Sequence, residues 1–273
     1  MSEPVRCEVC MHHCLLSEGQ YGRCRARRNE NGRSVAVNYG RITSMAMDPI
    51  EKKPLMRFHP GTRILSIGSY GCNFSCPFCQ NSMISMADQN SVDWCFIDAD
   101  AMAARVLETP DNLGIAFTYN EPMIDYEYII DVARRVKDQG KQIVAVTNGS
   151  VSLPVWEKTA PYLDALNIDL KGPASFYREI GGSLNAVKDA IAYCHDRCHV
   201  EVTTLVIPGK NDDEQFIREE AQWLASLDPD IPLILSRYFP RYHYQIPATD
   251  PRVIYHLRDI AAEYLNDVYT GNC

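Results

Sequence analysis

The chain has 273 residues, 46% of them hydrophobic, with a net charge of −8 and a sequence pI near 5.4. That is ample apolar material for a large buried core, and the acidic balance argues against a broad nucleic-acid surface. No run of about 18 apolar residues is available to cross a bilayer, and the opening MSEPVRCEVC lacks the apolar centre and cleavage site of a signal peptide, so the expected compartment is the cytoplasm.

Residues 1–60 read as a small cysteine-rich cap. Cys7, Cys10, Cys14 and Cys24 are spaced C-x2-C-x3-C-x9-C, which supplies four thiolates, enough to close one zinc or a second iron-sulfur cube. The bland use of such a site is a staple for the cap; the other is electron transfer. His12 and His13 lie inside the same loop. Arg23, Arg25, Arg27, Arg28 and Arg33 form a local basic run that ordinarily marks a solvated face. SVAVNYGRITSMAM alternates like two short strands joined around Asn38, Tyr39 and Gly40, a short β-hairpin.

From Arg63 onward, short apolar runs alternate with longer amphipathic segments. RILSIGS, GIAFTY, QIVAVTN, DALNIDL, HVEVTTLVI and PLILSRY predict strands. Between them DADAMAARVLET, YEYIIDVARRVKDQG, LPVWEKTAPY, SLNAVKDAIAYC and DDEQFIREEAQWLASL predict helices. The pattern predicts an α/β fold over residues 61–240, a partial (β/α)6 TIM-like barrel with its functional groups at the C-terminal ends of the strands. DPRVIYHLRDIAAEYLNDV, with Asp250 as N-cap and Pro251 in the first turn, predicts a C-terminal helical extension over 241–273.

Directly after the first predicted barrel strand comes GSYGCNFSCPFCQNS, with Cys72, Cys76 and Cys79 at C-x3-C-x2-C spacing. Eleven cysteines in a long chain without a secretory leader point to metal or thiol chemistry rather than to disulfides. Three thiolates on one tight loop can hold three irons of a [4Fe-4S] cluster and leave the fourth open. The alternative is a structural zinc site, which needs a fourth ligand. For the chain as a whole, the corresponding alternative is a non-catalytic cysteine-rich metal-binding or electron-transfer protein.

CNFSCPFC in this position resembles the cluster loop of the radical S-adenosylmethionine superfamily. CEVCMHHCLLSEGQYGRCRARRN, DPIEKKPLMRFHPGTRILSIGSYGCNFSCPFCQN, FTYNEP, NIDLKG and TLVIPGKND most resemble the AmmeMemoRadiSam-system radical SAM enzymes, homologues of the pyruvate formate-lyase activating enzyme. The resemblance implies that a [4Fe-4S] cluster cleaves S-adenosyl-L-methionine reductively to a 5'-deoxyadenosyl radical that abstracts hydrogen from a substrate. For the activating enzymes that substrate is a protein glycine; radical modification of a small metabolite or an RNA base is the alternative. It also implies cofactor contacts at Phe78 and Gln80, at Asn120 and Glu121, at Thr147 and Asn148, at Asp169 and Lys171, and at Arg237. No catalytic residue beyond these is assigned. A flavodoxin- or ferredoxin-like one-electron reductant and a protein substrate are the expected partners; nucleic acid and membrane are not. VAVTNGS departs from the activating enzymes, which place an acidic residue before their threonine.

Overall fold

The computed structural model describes residues 3–273. Eight strands form one sheet whose spatial order follows the chain: β1 (Ser44–Pro49), β2 (Arg63–Gly68), β3 (Asn112–Phe117), β4 (Gln142–Thr147), β5 (Ala165–Asp169), β6 (His199–Val206), β7 (Leu233–Arg237) and β8 (Val268–Gly271). From β2 to β8 every neighbouring pair is parallel. Only β1 runs the other way, against β2. Parallel neighbours need crossovers, and helices supply them: α1 (Ala99–Glu108), α2 (Tyr126–Val136), α3 (Leu153–Thr159), α4 (Ala174–Ile180), α5 (Leu184–Cys194), α6 (Glu214–Leu227) and α7 (Pro251–Ala261). Asp98, Ser183 and Asp213 each cap a helix by accepting a backbone N–H two or three residues inside it. The result is the expected partial barrel with a cysteine-rich N-terminal segment.

Alternation along the strands sends one set of side chains outward to the helices and the other into the barrel. Leu65, Ile67, Leu166 and Ile168 belong to the outer core, whereas Ile64, Ala116, Val144 and Ala165 pack inside against Ile50, Leu55 and Phe58. Gly114 lets β3 lie against β4: a Cβ there would stand 1.9 Å from the Gln142 carbonyl oxygen.

Residues 50–58 thus plug the lumen from the N-terminal end of the strands. Their seat is Glu201, fully buried at the start of β6, whose carboxylate accepts the backbone N–H groups of Met56 and Arg57, both at 2.7 Å. Asn167 adds a bond to the Pro54 carbonyl at 3.0 Å. Higher in the lumen, burial works against the charge on Asp48, but hydrogen bonds from Lys53 and Tyr119 prevail and hold its carboxyl at about 2.

Several local features differ from the sequence expectations. The hairpin turn is not at Asn38–Gly40: Arg27–Glu30 pairs with Arg33–Ala36 across Asn31 and Gly32, both at positive φ. That is the geometry an Asn-Gly pair favours in a two-residue turn. Ser44–Pro49, expected in the cap, instead extends the main sheet, and the C-terminal segment contributes β8 as well as a helix. The sheet therefore passes both edges of residues 61–240. The basic run is a free face only in part: Arg23 and Arg33 are exposed, but Arg27 is buried and paired with Glu127 at 2.7 Å. No helix among the described residues is long and apolar enough to cross a membrane.

Two substitutions test these supports. Glu201→Gln replaces one acceptor oxygen by an amide that faces a backbone N–H. It should cost about 1–3 kcal/mol and lower the melting temperature by roughly 2–12 °C in a circular-dichroism melt; an unchanged melt would mean that Glu201 does not hold the plug. Glu220 on α6 is buried, and burial pushes its carboxyl up to about 8. Thr204 Oγ1 lies 2.6 Å from Glu220 and 2.8 Å from the Leu170 carbonyl, yet it carries one hydrogen. If Thr204 donates to Leu170, it accepts the Glu220 proton. The folded value is raised, so this contribution is full below the ordinary 4.5 and is lost as pH rises through about 8. Glu220→Gln should therefore be more stable than the parent at pH 9, by roughly 2–5 kcal/mol, and show no such advantage at pH 4 in denaturant titrations.

Candidate cluster and cofactor site

The loop carrying Cys72, Cys76 and Cys79 leaves the C-terminal end of β2, where a partial barrel places its chemistry. All three thiols are free; Cys76 is buried and the other two are half-buried. A turn brings the Cys79 N–H to the Cys76 carbonyl at 3.2 Å. The Phe74 N–H points at Cys72 Sγ from 3.4 Å, and the Asn148 side-chain amide from 3.7 Å. Such donors suit a sulfur that carries negative charge.

Burial raises the Cys72 thiol well above the ordinary range and pushes Cys76 up to about 12, with the Lys171 cation acting the other way at Cys76. Free thiols here keep their protons, and a bound metal is what displaces them. Among the described residues, no three His, Cys, Asp or Glu side chains are grouped to hold a single ion. A cube spreads its thiolates over separate irons. Three thiols spaced along one loop, with N–H donors aimed at sulfur, fit that group.

The strand ends around the loop form a connected polar layer. Glu121, 1% exposed, follows β3. Its Oε1 accepts from Thr147 Oγ1 at 2.7 Å and from the Met123 N–H at 3.0 Å, and its Oε2 accepts from the Asn148 N–H at 2.7 Å. Burial outweighs these donors and raises the carboxyl to about 7. Asn148 in turn donates to Asn73 Oδ1 at 2.8 Å. Asn120 accepts from the Ser69 N–H and donates to the Tyr70 and Gly71 carbonyls, so it grips the start of the three-cysteine loop. Thus Glu121, Thr147 and Asn148 lock β3 to β4 behind Cys72.

Asp169 and Lys171 end β5 as an ion pair at 2.8 Å, Asp169 being the more open of the two. Both charges are felt at Cys76, and that of Asp169 also at Glu121. Phe78 is buried between Phe176 and Tyr244, with ring centroids 5.6 and 5.7 Å away. Gln80 is exposed. Arg237 donates to the Thr249 carbonyl at 2.7 Å and lies over Phe239, so it braces the loop after β7.

Asn73 escaped the spacing argument although it is the hub of the site. It is fully buried, donates to the Ser150 carbonyl at 3.3 Å, and receives the His12 ring on its own carbonyl at 2.8 Å. Nothing in the sequence marks it except its place directly after Cys72.

The family model described as the Radical SAM superfamily matches residues 66–220. The chain is 35% identical over 279 residues to an uncharacterised protein of Methanocaldococcus jannaschii, MJ0808, covering 98% of this chain and 81% of that protein. It is 25% identical to a putative glycyl-radical enzyme activating enzyme of the same organism, MJ1227, covering 73% of this chain and 85% of that one. Among solved structures, a domain of pyruvate-formate lyase-activating enzyme from Bacteroides vulgatus aligns with a TM-score of 0.51 at 23% identity, over 58% of this chain and 99% of that domain. The family match spans more than half of the chain and includes all three cysteines of the loop after β2; the chain belongs to the radical SAM superfamily.

Proposed function

We propose that this radical SAM enzyme cleaves S-adenosyl-L-methionine reductively and abstracts hydrogen from a glycine of a partner protein. The observation that carries the first half is the three-cysteine loop beside the Asp169–Lys171 pair at the carboxyl edge of the barrel. When bound, a reduced [4Fe-4S] cluster supplies one electron that breaks the sulfur-carbon bond of the cofactor, giving methionine and a 5'-deoxyadenosyl radical. A flavodoxin- or ferredoxin-like protein fits as the electron source.

The chain's own residues hold and orient. Cys72, Cys76 and Cys79 are the cluster ligands, and Asn148 donates toward Cys72 sulfur. Asp169, the open carboxylate of the layer, is placed to accept from the cofactor's ammonium or ribose hydroxyls. Lys171 pairs with that carboxylate at 2.8 Å and lends positive charge to Cys76. Glu121 has both oxygens engaged by protein donors, so its part is to position the Cys72 and Asn148 side chains. Asn120, Thr147, Phe78 and Arg237 support the pocket in the same indirect way, and Gln80 lies at its exposed rim. The glycine target draws on two relatives named as putative glycyl-radical enzyme activating enzymes, 25% and 26% identical to this chain.

Cys72→Ala, Cys76→Ala and Cys79→Ala should each abolish 5'-deoxyadenosine formation, measured by chromatography after anaerobic reduction; a parent-like rate in any of them would overturn the cluster assignment. Asp169→Asn should keep its iron yet bind S-adenosyl-L-methionine roughly ten- to a hundredfold more weakly in a titration, the loss of one charge-assisted hydrogen bond. Unaltered affinity would place the cofactor elsewhere. For the glycine, a lysate grown on α-deuterated glycine should pass deuterium into 5'-deoxyadenosine, whereas deuterium-free product would exclude a glycine α-carbon as the donor.

A further inference from the structure

Cys7, Cys10, Cys14 and Cys24 lie outside the site just described, on one segment that packs against it; like the thiols of the loop after β2, they are not grouped to hold a single ion. Val5–Arg6 and Leu15–Leu16 pair as a two-residue ribbon, which sets Cys7 opposite Cys14, and the Cys7 N–H donates to the Cys14 carbonyl at 2.8 Å. Cys10 stands at the tip of that loop, within electrostatic reach of Cys7, Cys14 and Cys24. All four are free, and Cys7, Cys10 and Cys24 are buried. Backbone N–H groups are aimed at the sulfurs: His12 at Cys10, Arg23 at Cys14 from 3.5 Å, and Ala26 and Arg27 at Cys24. This pattern recurs at Cys72, where the Phe74 N–H points at sulfur. Four mostly buried thiols served by amide donors are an arrangement that a thiophilic metal completes, because the metal supplies the positive charge that burial removes from reach.

The same segment grips the cluster loop on both sides of Cys72. Gly71 has φ +86°, and its α-carbon lies so close to the cap that a Cβ would stand 2.5 Å from the Cys24 carbonyl oxygen and 2.9 Å from Ala26. On the other side, the His12 ring bonds the Asn73 carbonyl at 2.8 Å. Cys10 also forms a bridge to Val151, and Ser152 donates to the Val9 carbonyl at 3.0 Å, which ties the cap to the loop after β4 that carries Asn148. Residues on either side of Cys72 are therefore positioned by residues that belong to, or directly neighbour, the four cap cysteines.

We propose that Cys7, Cys10, Cys14 and Cys24 hold a second iron-sulfur cube, one thiolate on each iron, that clamps the loop around Cys72. With four protein ligands the centre has no position for substrate, so its effect on the first site is mechanical. The inference is independent of the reaction proposed above, since it concerns only metal binding and loop rigidity.

The first test uses the full chain with Cys72, Cys76 and Cys79 all replaced by alanine, which removes the other thiolate set. Purified anaerobically, this variant should retain about four irons per chain by mass spectrometry, the content of a cube, whereas about one zinc per chain in their place would overturn it. Further replacement of Cys10 and Cys24 by serine should remove that metal. A triple variant that carries no metal overturns the proposal. The clamp is tested by His12→Ala, which leaves all seven thiolates in place. Its total metal should match the parent, but iron should pass from the Cys72 loop to a chelator about fivefold faster, the scale of one lost hydrogen bond. Iron release at the parent rate would overturn the clamp.

Discussion

The gathering of three buried or half-buried thiols on a single loop is the constraint around which this molecule is organised. Sulfur ligands must lose their protons to hold a metal, and burial opposes that loss at Cys72 and Cys76. The surroundings compensate from several elements at once. Phe74 and Asn148 aim N–H groups at Cys72, and Lys171 sets a cation against Cys76. Glu121, the carboxyl whose charge is felt at Cys72, is turned inward to three donors, and burial raises it to about 7. Each of these groups arrives on a different strand end. The parallel sheet is what makes them neighbours.

That convergence requires the barrel to be closed below and fixed above. Below, Glu201 seats residues 50–58 in the lumen, where Leu55 and Phe58 complete an inner core with Ile64, Ala116 and Val144. Above, Asn120 and Asn73 spend their side chains on loop backbone and on one another's neighbours. Buried amides left unpaired there would each cost about 1–3 kcal/mol, so the network stands or falls as a unit. Glu220 extends it outward, through Thr204, to the Leu170 carbonyl between Asp169 and Lys171.

Much of this was legible in the residues. Short apolar runs and helical patterns foretold all six barrel strands and five of the helices between them, because a parallel sheet covered by helices demands continuous apolar runs. The cysteine spacing pointed to the cluster loop. Three things were not legible. The pairing of Ser44–Pro49 with β2 is a long-range choice that alternation cannot encode, and the Asn31–Gly32 turn was overshadowed by the alternation around Asn38. Helix α4 is short and lies in a segment rich in Gly and Pro. For the site, Glu121 reads as an open acceptor in the sequence, but in the fold its oxygens are already taken. Asn73 has no periodic or spacing signature, since its role is set by backbone groups of the cap and of the loop after β4.

The central claim is that the Cys72 loop holds a cluster with one iron open to the cofactor. Electron paramagnetic resonance of the reduced protein tests it most directly, because a new ligand on one iron alters the magnetic environment of the whole cluster. With the four cap cysteines intact, adding S-adenosyl-L-methionine to the dithionite-reduced protein should change the g-values of the cluster signal. A cluster signal at full intensity that is indifferent to saturating S-adenosyl-L-methionine would contradict the account.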